Sequence, residues 1–436
     1  MKIHKSNSNW KQAQKYIPDG NMILSKRPEM MLPGLWPVYY KNTRGCLIKD
    51  IDGNKYYDLS LMGVGTNVLG YKNKIIDKKV LEVVKEGNIS SLNNLYELKL
   101  AKLLIKLHPW AQQCKFARTG GEANSIAIRI ARAATNNGKI AVCGYHGWHD
   151  WYIAANISNK NNLNTHLLKN IPVKGVPNEL RKNIYTFEFN DFKKIKFLVE
   201  VKKIKIIKME IRRNKEPENN FLKKVRQLAK KNKVILIFDE CTSGFRETLG
   251  GLHKKYKINP DMAIFGKALG NGYPITAIIG RKNIMRHAKS TFISSTFLSE
   301  AIGPAAAIET INYMKKYKTY KKISKLGKQI KDKWIKIAKK NQIKIETFGL
   351  DGIPKFRFIH KDSNLLKTIF TYEMLKRGFL ASTAIYLSIA HTNKILNKYF
   401  KTMDDVFKNL SIKIENKELK KSYKLKQAKQ DFGRLN

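Results

Sequence analysis

A series of short apolar runs, alternating with helical patterns, most strongly constrains the fold of this chain. The runs are IAVCGY at 140–145, KIIKMEI at 205–211, VILIFD at 234–239 and MAIFG at 262–266. They are continuous in Val, Ile and Phe rather than alternating with polar residues, as is typical of strands buried on both faces. The pattern therefore predicts an α/β fold in which helices cover a mostly parallel sheet.

A carboxylate and a lysine follow two of these predicted strands. Asp239 ends VILIFD, and Lys267 comes 28 residues later in FGKALGNGYPI, among small and glycine residues. Ligands of such sheets bind at the carboxyl ends of the strands. An acid and a lysine placed there can hold opposite ends of a flat, electron-withdrawing ring. Pyridoxal phosphate (PLP) needs that pair, because lysine binds its aldehyde as a Schiff base and the acid keeps its pyridinium nitrogen protonated.

A candidate phosphate site lies upstream, in KFARTGGEANSIAIRIARAAT at 115–135. The pattern indicates a strand end, a glycine turn and an amphipathic helix that starts near Thr119, Gly120 and Gly121. Free N–H groups and the helix dipole at such a start attract anions, and glycine lets a phosphate approach closely. A helix N-cap without a ligand would have the same sequence, so the segment alone leaves both interpretations open.

The segment CGYHGWHDWY at 143–152 follows another predicted strand. Tyr145 and His146 could stack on a flat ring or donate to a phosphate or a substrate. A metal site is the rival interpretation, since two histidines and an aspartate are close together, but no second set of ligands accompanies them. Trp148 and Trp151 are predicted to be buried by packing.

The acidic strand LIFDE also resembles that of a nucleoside triphosphatase. That function requires a phosphate loop of the form GxxxxGK[ST]. The Gly-Lys pairs of this chain are followed by Ile140, Ala268 and Gln329, never by serine or threonine. The sequence therefore argues against an ATPase.

The charge of the chain is strongly positive, with 84 Lys and Arg against 34 Asp and Glu, a net +50. Such an excess could serve a nucleic-acid or anionic-surface binding protein. The basic residues are spread along the chain, however, together with abundant Ile and Asn, as codon bias in an AT-rich genome would produce. Neither nucleic acid nor a membrane is the expected partner; small anionic substrates would still benefit from the positive field.

The remaining composition points to a cytoplasmic protein with two or more subdomains in its 436 residues. Its four cysteines form no CxxC pair, which disfavours a disulfide framework or a zinc ribbon. The first twenty residues are polar, and no apolar run approaches the length of a membrane span.

The chain is predicted to comprise four regions. They are an irregular N-terminal arm with a short hairpin (1–65), a large cofactor-binding domain (66–310), a smaller C-terminal α/β domain (311–413) and a basic tail (414–436), which is predicted to be solvated. The hairpin is predicted from CLIKDIDGNKYYDLS, where the turn sequence DGN separates two strand-like runs.

Taken together, these segments resemble the class III, fold-type I PLP-dependent aminotransferases, in the branch similar to glutamate-1-semialdehyde 2,1-aminomutase. FARTGGEAN, GYHGWHD, LIFDECTSGFR, GGLHKKYKINPD and FGKALGNGYPI stand in the family's order, and the resemblance spans 17–392. It implies a large domain with a mostly parallel, seven-stranded type of sheet and a smaller C-terminal α/β domain. It also implies a homodimer with shared active sites.

The resemblance also implies roles for individual residues. Lys267 is similar to the Schiff-base lysine and Asp239 to the partner of the ring nitrogen. Tyr145 would stack on one face of the ring and Cys241, where the family usually has valine, would pack on the other. Further cofactor contacts are implied for the phosphate cradle Thr119, Gly120 and Gly121, for His146 beside Tyr145, for Glu210 at the cofactor's edge, and for Thr296, which would reach the phosphate bound by the neighbouring subunit.

The departures from the family bear on the substrate. Aminomutases keep a tryptophan where this chain has Val64, and a glutamate where it has Thr383. Ser25 and Arg27 lie where the family contacts a substrate carboxylate, although Arg27 could equally be a surface residue before a proline turn. The sequence therefore predicts a PLP-dependent aminotransferase that moves an amino group between a donor, such as glutamate or another amino acid, and a carbonyl acceptor. An intramolecular aminomutase is the alternative within the fold.

Overall fold

The computed structural model describes residues 2–157 and 173–429. The described chain divides into two compact units. One consists of the residues up to Asn73 and those from Lys322 onward, and the other of Lys74–Lys321.

The strands, in chain order, are β1 (Tyr40–Arg44), β2 (Leu47–Asp50), β3 (Lys55–Leu59), β4 (Gln113–Ala117), β5 (Ile140–Cys143), β6 (Ile184–Thr186), β7 (Ile206–Glu210), β8 (Ile235–Glu240), β9 (Met262–Phe265), β10 (Thr276–Gly280), β11 (Ile345–Phe348), β12 (Lys355–Phe358) and β13 (Phe379–Ala381).

The helices are α1 (His4–Tyr16), α2 (Met62–Gly65), α3 (Lys74–Glu86), α4 (Leu95–Leu107), α5 (Gly120–Thr135), α6 (Asp150–Ile153), α7 (Phe192–Glu200), α8 (Phe221–Lys231), α9 (His253–Tyr256), α10 (Lys282–Met285), α11 (Ile302–Tyr317), α12 (Thr319–Lys340), α13 (Ser363–Lys376), α14 (Asn393–Glu415) and α15 (Leu419–Ser422).

The unit Lys74–Lys321 is built around a seven-stranded sheet of order β4-β10-β9-β8-β7-β5-β6. β10 is antiparallel to both of its neighbours, and the other pairs are parallel. This confirms the predicted α/β fold with a mostly parallel sheet. An apolar cluster of this unit includes α5, whose Ile126 and Ile130 belong to the same buried group as Ile206, Ile237 and Ile264 of the strands.

The other unit contains a four-stranded sheet of order β1-β2-β3-β13 and a separate β11-β12 pair. The predicted hairpin is present, since β2 and β3 pair antiparallel across the DGN turn. The arm predicted to be irregular instead begins with helix α1. Asp52 caps this helix from a distant part of the sequence, accepting hydrogen bonds from the backbone N–H groups of Lys5 at 2.8 Å and Ser6 at 2.9 Å.

The described part of the predicted tail is mostly exposed, and it is anchored to its own unit at two residues. Leu419 and Ala428 are buried. The Ala428 N–H donates to Thr368 Oγ1 at 3.1 Å, on helix α13. The rest of that prediction, 430–436, lies outside the described residues.

Candidate active site

Three segments of the unit Lys74–Lys321 meet at the Cys241 side chain. A Cβ placed on Gly266, the residue before Lys267, would lie 3.3 Å from Cys241 Sγ, and one placed on Gly120 would lie 3.7 Å from the same sulfur. The end of β8, the end of β9 and the first turn of α5 are therefore adjacent. This is the carboxyl edge of the parallel strands, where the sequence analysis predicted the ligand site.

Asp239 lies at this edge and is buried, and each of its carboxylate oxygens accepts one hydrogen bond from the protein. Its Oδ2 accepts a hydrogen bond from His146 Nδ1 at 2.9 Å, and its Oδ1 accepts one from the Cys241 N–H at 3.1 Å. Burial by itself raises the pKa of this carboxyl, but the charge of Lys208 and the His146 hydrogen bond outweigh it and hold the pKa well below its usual range. Asp239 is therefore an ionised acceptor at neutral pH.

His146 supports Asp239 from inside the protein. Its ring is buried, with Nδ1 on Asp239 and Nε2 at 3.1 Å from the Cys143 carbonyl oxygen. Nδ1 donates to the carboxylate, and the carbonyl oxygen beside Nε2 is also an acceptor; burial lowers the pKa of His146, and the hydrogen bond with Asp239 opposes that shift. The histidine thus acts on the site through Asp239.

Lys267 begins the short turn that follows β9. Its backbone φ is 43°, in the left-handed region that side-chain-bearing residues rarely adopt. The side chain is half-buried, and its ammonium group has no hydrogen-bond or ion-pair partner within 2–157 and 173–429. Such strained, unpartnered positions are found where function requires a particular orientation.

Helix α5 begins with a capping box at the predicted phosphate cradle. Thr119 Oγ1 accepts from the Glu122 N–H at 3.4 Å, while the Glu122 carboxylate accepts from the Thr119 N–H. A Cβ on Gly121 would lie only 2.9 Å from His149 Cδ2, so glycine is needed there. A helix start of this kind, free of side-chain bulk, suits a phosphate.

Glu210 and Tyr145 also lie at the carboxyl ends of parallel strands. Glu210 ends β7 beside Asp239 in the β7–β8 register, and its Oε2 accepts from the Tyr145 N–H at 3.0 Å. The Tyr145 ring is half-buried and packs edge-on against Tyr152. Thr296 instead lies in an exposed short turn that begins at that residue.

The two tryptophans near Tyr145 differ from each other. Trp151 is partly buried against the apolar cluster that includes α5, as predicted. The prediction is wrong for Trp148, which is 71% exposed. His149 does not converge with His146 on a metal; it lies 2.9 Å from Ser125 Oγ.

The four predicted substrate residues belong to the other unit. Ser25 lies in a short turn, Arg27 pairs with Asp19 at 2.7 Å, and Thr383 is buried. Val64 has φ 60° and ψ 37°, a left-handed conformation that is uncommon for a β-branched residue. Asp58 fixes this turn by accepting hydrogen bonds from the N–H groups of Ser60, Leu61 and Met62.

Sequence reasoning missed Lys208, whose Nζ lies 3.8 Å from Asp239 Oδ2. The only signal in the sequence is a lysine in the middle of the apolar run KIIKMEI.

This arrangement fits PLP. An ionised carboxylate, a partnerless lysine and a glycine-lined helix start lie at one sheet edge, which are the groups required by the cofactor's ring nitrogen, aldehyde and phosphate. The fold and the site thus define a fold-type I PLP-dependent transferase.

Comparisons with known proteins agree. Residues 33–350 match the family model for aminotransferase class-III. The 3-aminobutyryl-CoA aminotransferase of Cloacimonas acidaminovorans is 31% identical over 381 residues, 85% of this chain and 87% of the relative. The glutamate-1-semialdehyde 2,1-aminomutase of Methanocaldococcus jannaschii is 29% identical over 435 residues, 94% of this chain and 99% of the relative.

The FumI protein of Sphingopyxis sp. MTA144, solved with PLP, superposes with a TM-score of 0.86 at 20% identity, covering 98% of this chain and 99% of that one. This chain belongs to the class-III aminotransferase family. It is a PLP-dependent transaminase.

Proposed function

We propose that this enzyme moves an amino group between two separate molecules, an amino donor and a carbonyl acceptor, with Lys267 as its catalytic lysine. The observation that carries the proposal is the Lys267 side chain, which has no partner among the described residues and follows β9 at the same sheet edge as the ionised Asp239. PLP, when bound, supplies the electron sink that lets a substrate carbon lose a proton.

Each residue of the sheet edge has a part in this chemistry. The Lys267 amine would hold the cofactor at its aldehyde and would serve as the base that takes the proton of the substrate carbon. Asp239 would keep the ring nitrogen protonated, and His146 hydrogen-bonds that carboxylate. Tyr145 and Cys241 would contact the two ring faces, Glu210 would lie near the ring, and Thr119, Gly120 and Gly121 would hold the phosphate.

Two positions favour transfer between molecules over an intramolecular aminomutase. The aminomutases that this chain resembles keep a tryptophan and a glutamate where Val64 and Thr383 stand. Val64, which lies in a left-handed turn next to the Asp58 hydrogen bonds, is much smaller than tryptophan, which supports a different substrate pocket. Glutamate 1-semialdehyde is therefore not the proposed substrate. An aminomutase is the second candidate function, because similar proteins are named for that activity.

A carboxylate is the proposed recognition group of the substrate. Arg27 can offer two parallel N–H donors to a carboxylate, which suits this role, with Ser25 beside it. Its present partner, Asp19, is largely exposed, so a substrate carboxylate could replace it.

The proposed assembly is a homodimer in which Thr296 reaches the phosphate held by the neighbouring subunit. Its support is an exposed apolar face on the unit Lys74–Lys321, made of Ile89, Leu92, Leu95, Leu98, Phe292 and Phe297. The segments that carry Leu92 and Phe297 are adjacent, because Asn94 Nδ2 donates to the Ser299 carbonyl oxygen at 2.9 Å and the Ala301 N–H donates to the Asn88 carbonyl oxygen at 2.9 Å. A single chain rarely exposes so much apolar surface without a partner.

Changing Phe297 to Asp should split this dimer. The side chain is 67% exposed in the single chain, and a charge there would have to lose its water on association. Sedimentation should show wild type at twice the 50.2 kDa chain mass and the variant near the single-chain mass. Val201→Asp, at an exposed apolar residue outside this face, should stay dimeric. A wild-type enzyme that is monomeric and fully active would contradict the assembly.

The proposed location is the cytoplasm. The four cysteines are free, which suits a reducing compartment. In the part of the chain that the structure describes, no helix is long and apolar enough to cross a membrane.

An absorption spectrum of the purified enzyme, repeated with single amino donors, tests the reaction. The enzyme should be yellow with PLP, and one donor alone should convert it to the colourless pyridoxamine form while releasing a keto product. An aminomutase would instead convert a single substrate with no net keto product. A protein that stays colourless with added PLP would refute the assignment.

A further inference from the structure

A fully buried lysine lies beneath the proposed cofactor site. Lys208 occupies the middle of β7, every residue of which is buried. Ile206, two residues earlier on the same face of the strand, packs in the apolar cluster with α5. An ammonium group in such surroundings is costly unless it is paired, so its contacts should explain its presence.

Among the described residues, Asp239 is the ion-pair partner of Lys208. Its Nζ lies 3.8 Å from Asp239 Oδ2, the oxygen that also accepts the His146 hydrogen bond, and it makes no hydrogen bond with any described residue. The strand register explains this contact, because Lys208 pairs with Ile237 and Asp239 follows two residues later on the same face. Lys208 thus contacts the carboxylate from within the sheet.

The charges around this pair come from several elements. The groups that act on Lys208 are Asp239, Cys241 and Glu210. His146 faces Asp239, and the positive charge of Lys267 acts on the Cys241 thiol. Burial lowers the pKa of Lys208 below its ordinary value, and the nearby Asp239, Cys241 and Glu210 oppose that shift only in part. An ionised Asp239 and a protonated Lys208 stabilise each other's charged forms.

We propose that Lys208 is a positioning residue, which holds the Asp239 carboxylate ionised and oriented for the ring nitrogen of the cofactor. The inference rests on the role proposed for Asp239. As a consequence, the PLP affinity of the enzyme should persist to a lower pH than it would if His146 were the only residue supporting Asp239.

The pKa of the Asp239 carboxyl decides in which direction the pH dependence of PLP affinity should shift. The pKa of Asp239 is depressed in the folded protein, so the site is intact at neutral pH and is lost as the pH falls. Without Lys208 the depression is smaller, and the carboxyl takes up its proton at a higher pH. A neutral carboxyl no longer stabilises a protonated ring nitrogen, so PLP affinity should fall earlier on acidification.

The test is the PLP dissociation constant of Lys208→Met as a function of pH, by equilibrium dialysis. The midpoint of the acid loss of affinity should lie at least about one pH unit higher than in wild type, given the short distance between the charges. The cofactor's own titrations are common to both proteins and cancel. The matched control is Lys331→Met, which removes a lysine 2.9 Å from the buried Asp351 in the other unit and should leave the midpoint unchanged.

The outcomes separate this inference from the proposed function. A wild-type enzyme that fails to bind PLP refutes the function itself. If both proteins bind PLP and lose it at the same acid midpoint, the role proposed for Lys208 is wrong. The roles proposed for Lys267 and Asp239 would not be affected by that result.

A second measurement covers the case in which Lys208→Met does not fold. Asp239→Asn leaves the buried ammonium without its counter-ion, so the apoprotein should melt about 5 °C or more below wild type. Adding Lys208→Met to that variant removes the unpaired charge and should restore most of the loss. A double variant no more stable than Asp239→Asn would overturn the proposal.

Discussion

Replacing Lys267 with alanine is expected to lower kcat for amino transfer by about 10⁴-fold or more. The amine is the proposed attachment point of the cofactor and the base that moves the substrate proton, and no other lysine can take its place at the end of β9. Steady-state assays with the donor identified by absorption would measure the loss. The variant should also lose the yellow colour of the lysine-bound cofactor.

The control for this variant is Lys282→Ala, which removes an exposed lysine at the start of α10. It should keep wild-type activity and colour. If Lys267→Ala retained a tenth of the wild-type kcat while folded, another residue would have to be the catalytic lysine.

Changing Asp239 to asparagine is expected to lower kcat by about 10²–10³-fold, the usual effect of removing one preorganised electrostatic group. The side chain keeps its size but loses the charge that stabilises a protonated ring nitrogen. PLP affinity should fall as well, and the pH dependence of the cofactor's absorption should change because the ring nitrogen loses its anionic partner.

Asp261→Asn distinguishes this effect from a loss of stability. Asp261 is also buried, and it accepts from the Leu236 N–H at 2.9 Å and pairs with Arg226 at 2.7 Å. Its amide variant should melt at a lower temperature with the cofactor spectrum unchanged. Equal spectral changes in both variants would mean that Asp239 acts only on stability.

The strands and their functional ends were predictable because the apolar runs are continuous and the polar residues follow them directly. Asp239, Glu210 and Lys267 all lie at the carboxyl edge of the sheet for this reason. The five family segments added the roles of these residues, and the family model confirms the resemblance.

Features that depend on distant contacts were not predictable. Helix α1 is polar, and its start is fixed by Asp52, 46 residues beyond Ser6. The partnership of His146 with Asp239 joins residues 93 positions apart, so the histidine was expected to contact the ring itself. Lys208 looked like one of many lysines until the strand register placed it beside Asp239.

The exposure of Trp148 has a related cause. Its neighbours Tyr145, His146 and Trp151 all contact the core, and an aromatic residue among them was expected to do the same. Burial is decided by the direction of one side chain, which a local sequence pattern does not determine.

The central claim is that Lys267 holds the cofactor. Its most direct test is to reduce the PLP-loaded wild-type enzyme with borohydride, digest it and locate the phosphopyridoxyl group by mass spectrometry. We expect the group on Lys267, in the peptide that contains FGKALGNGYPI. A group found on another lysine, or on none, would contradict the account.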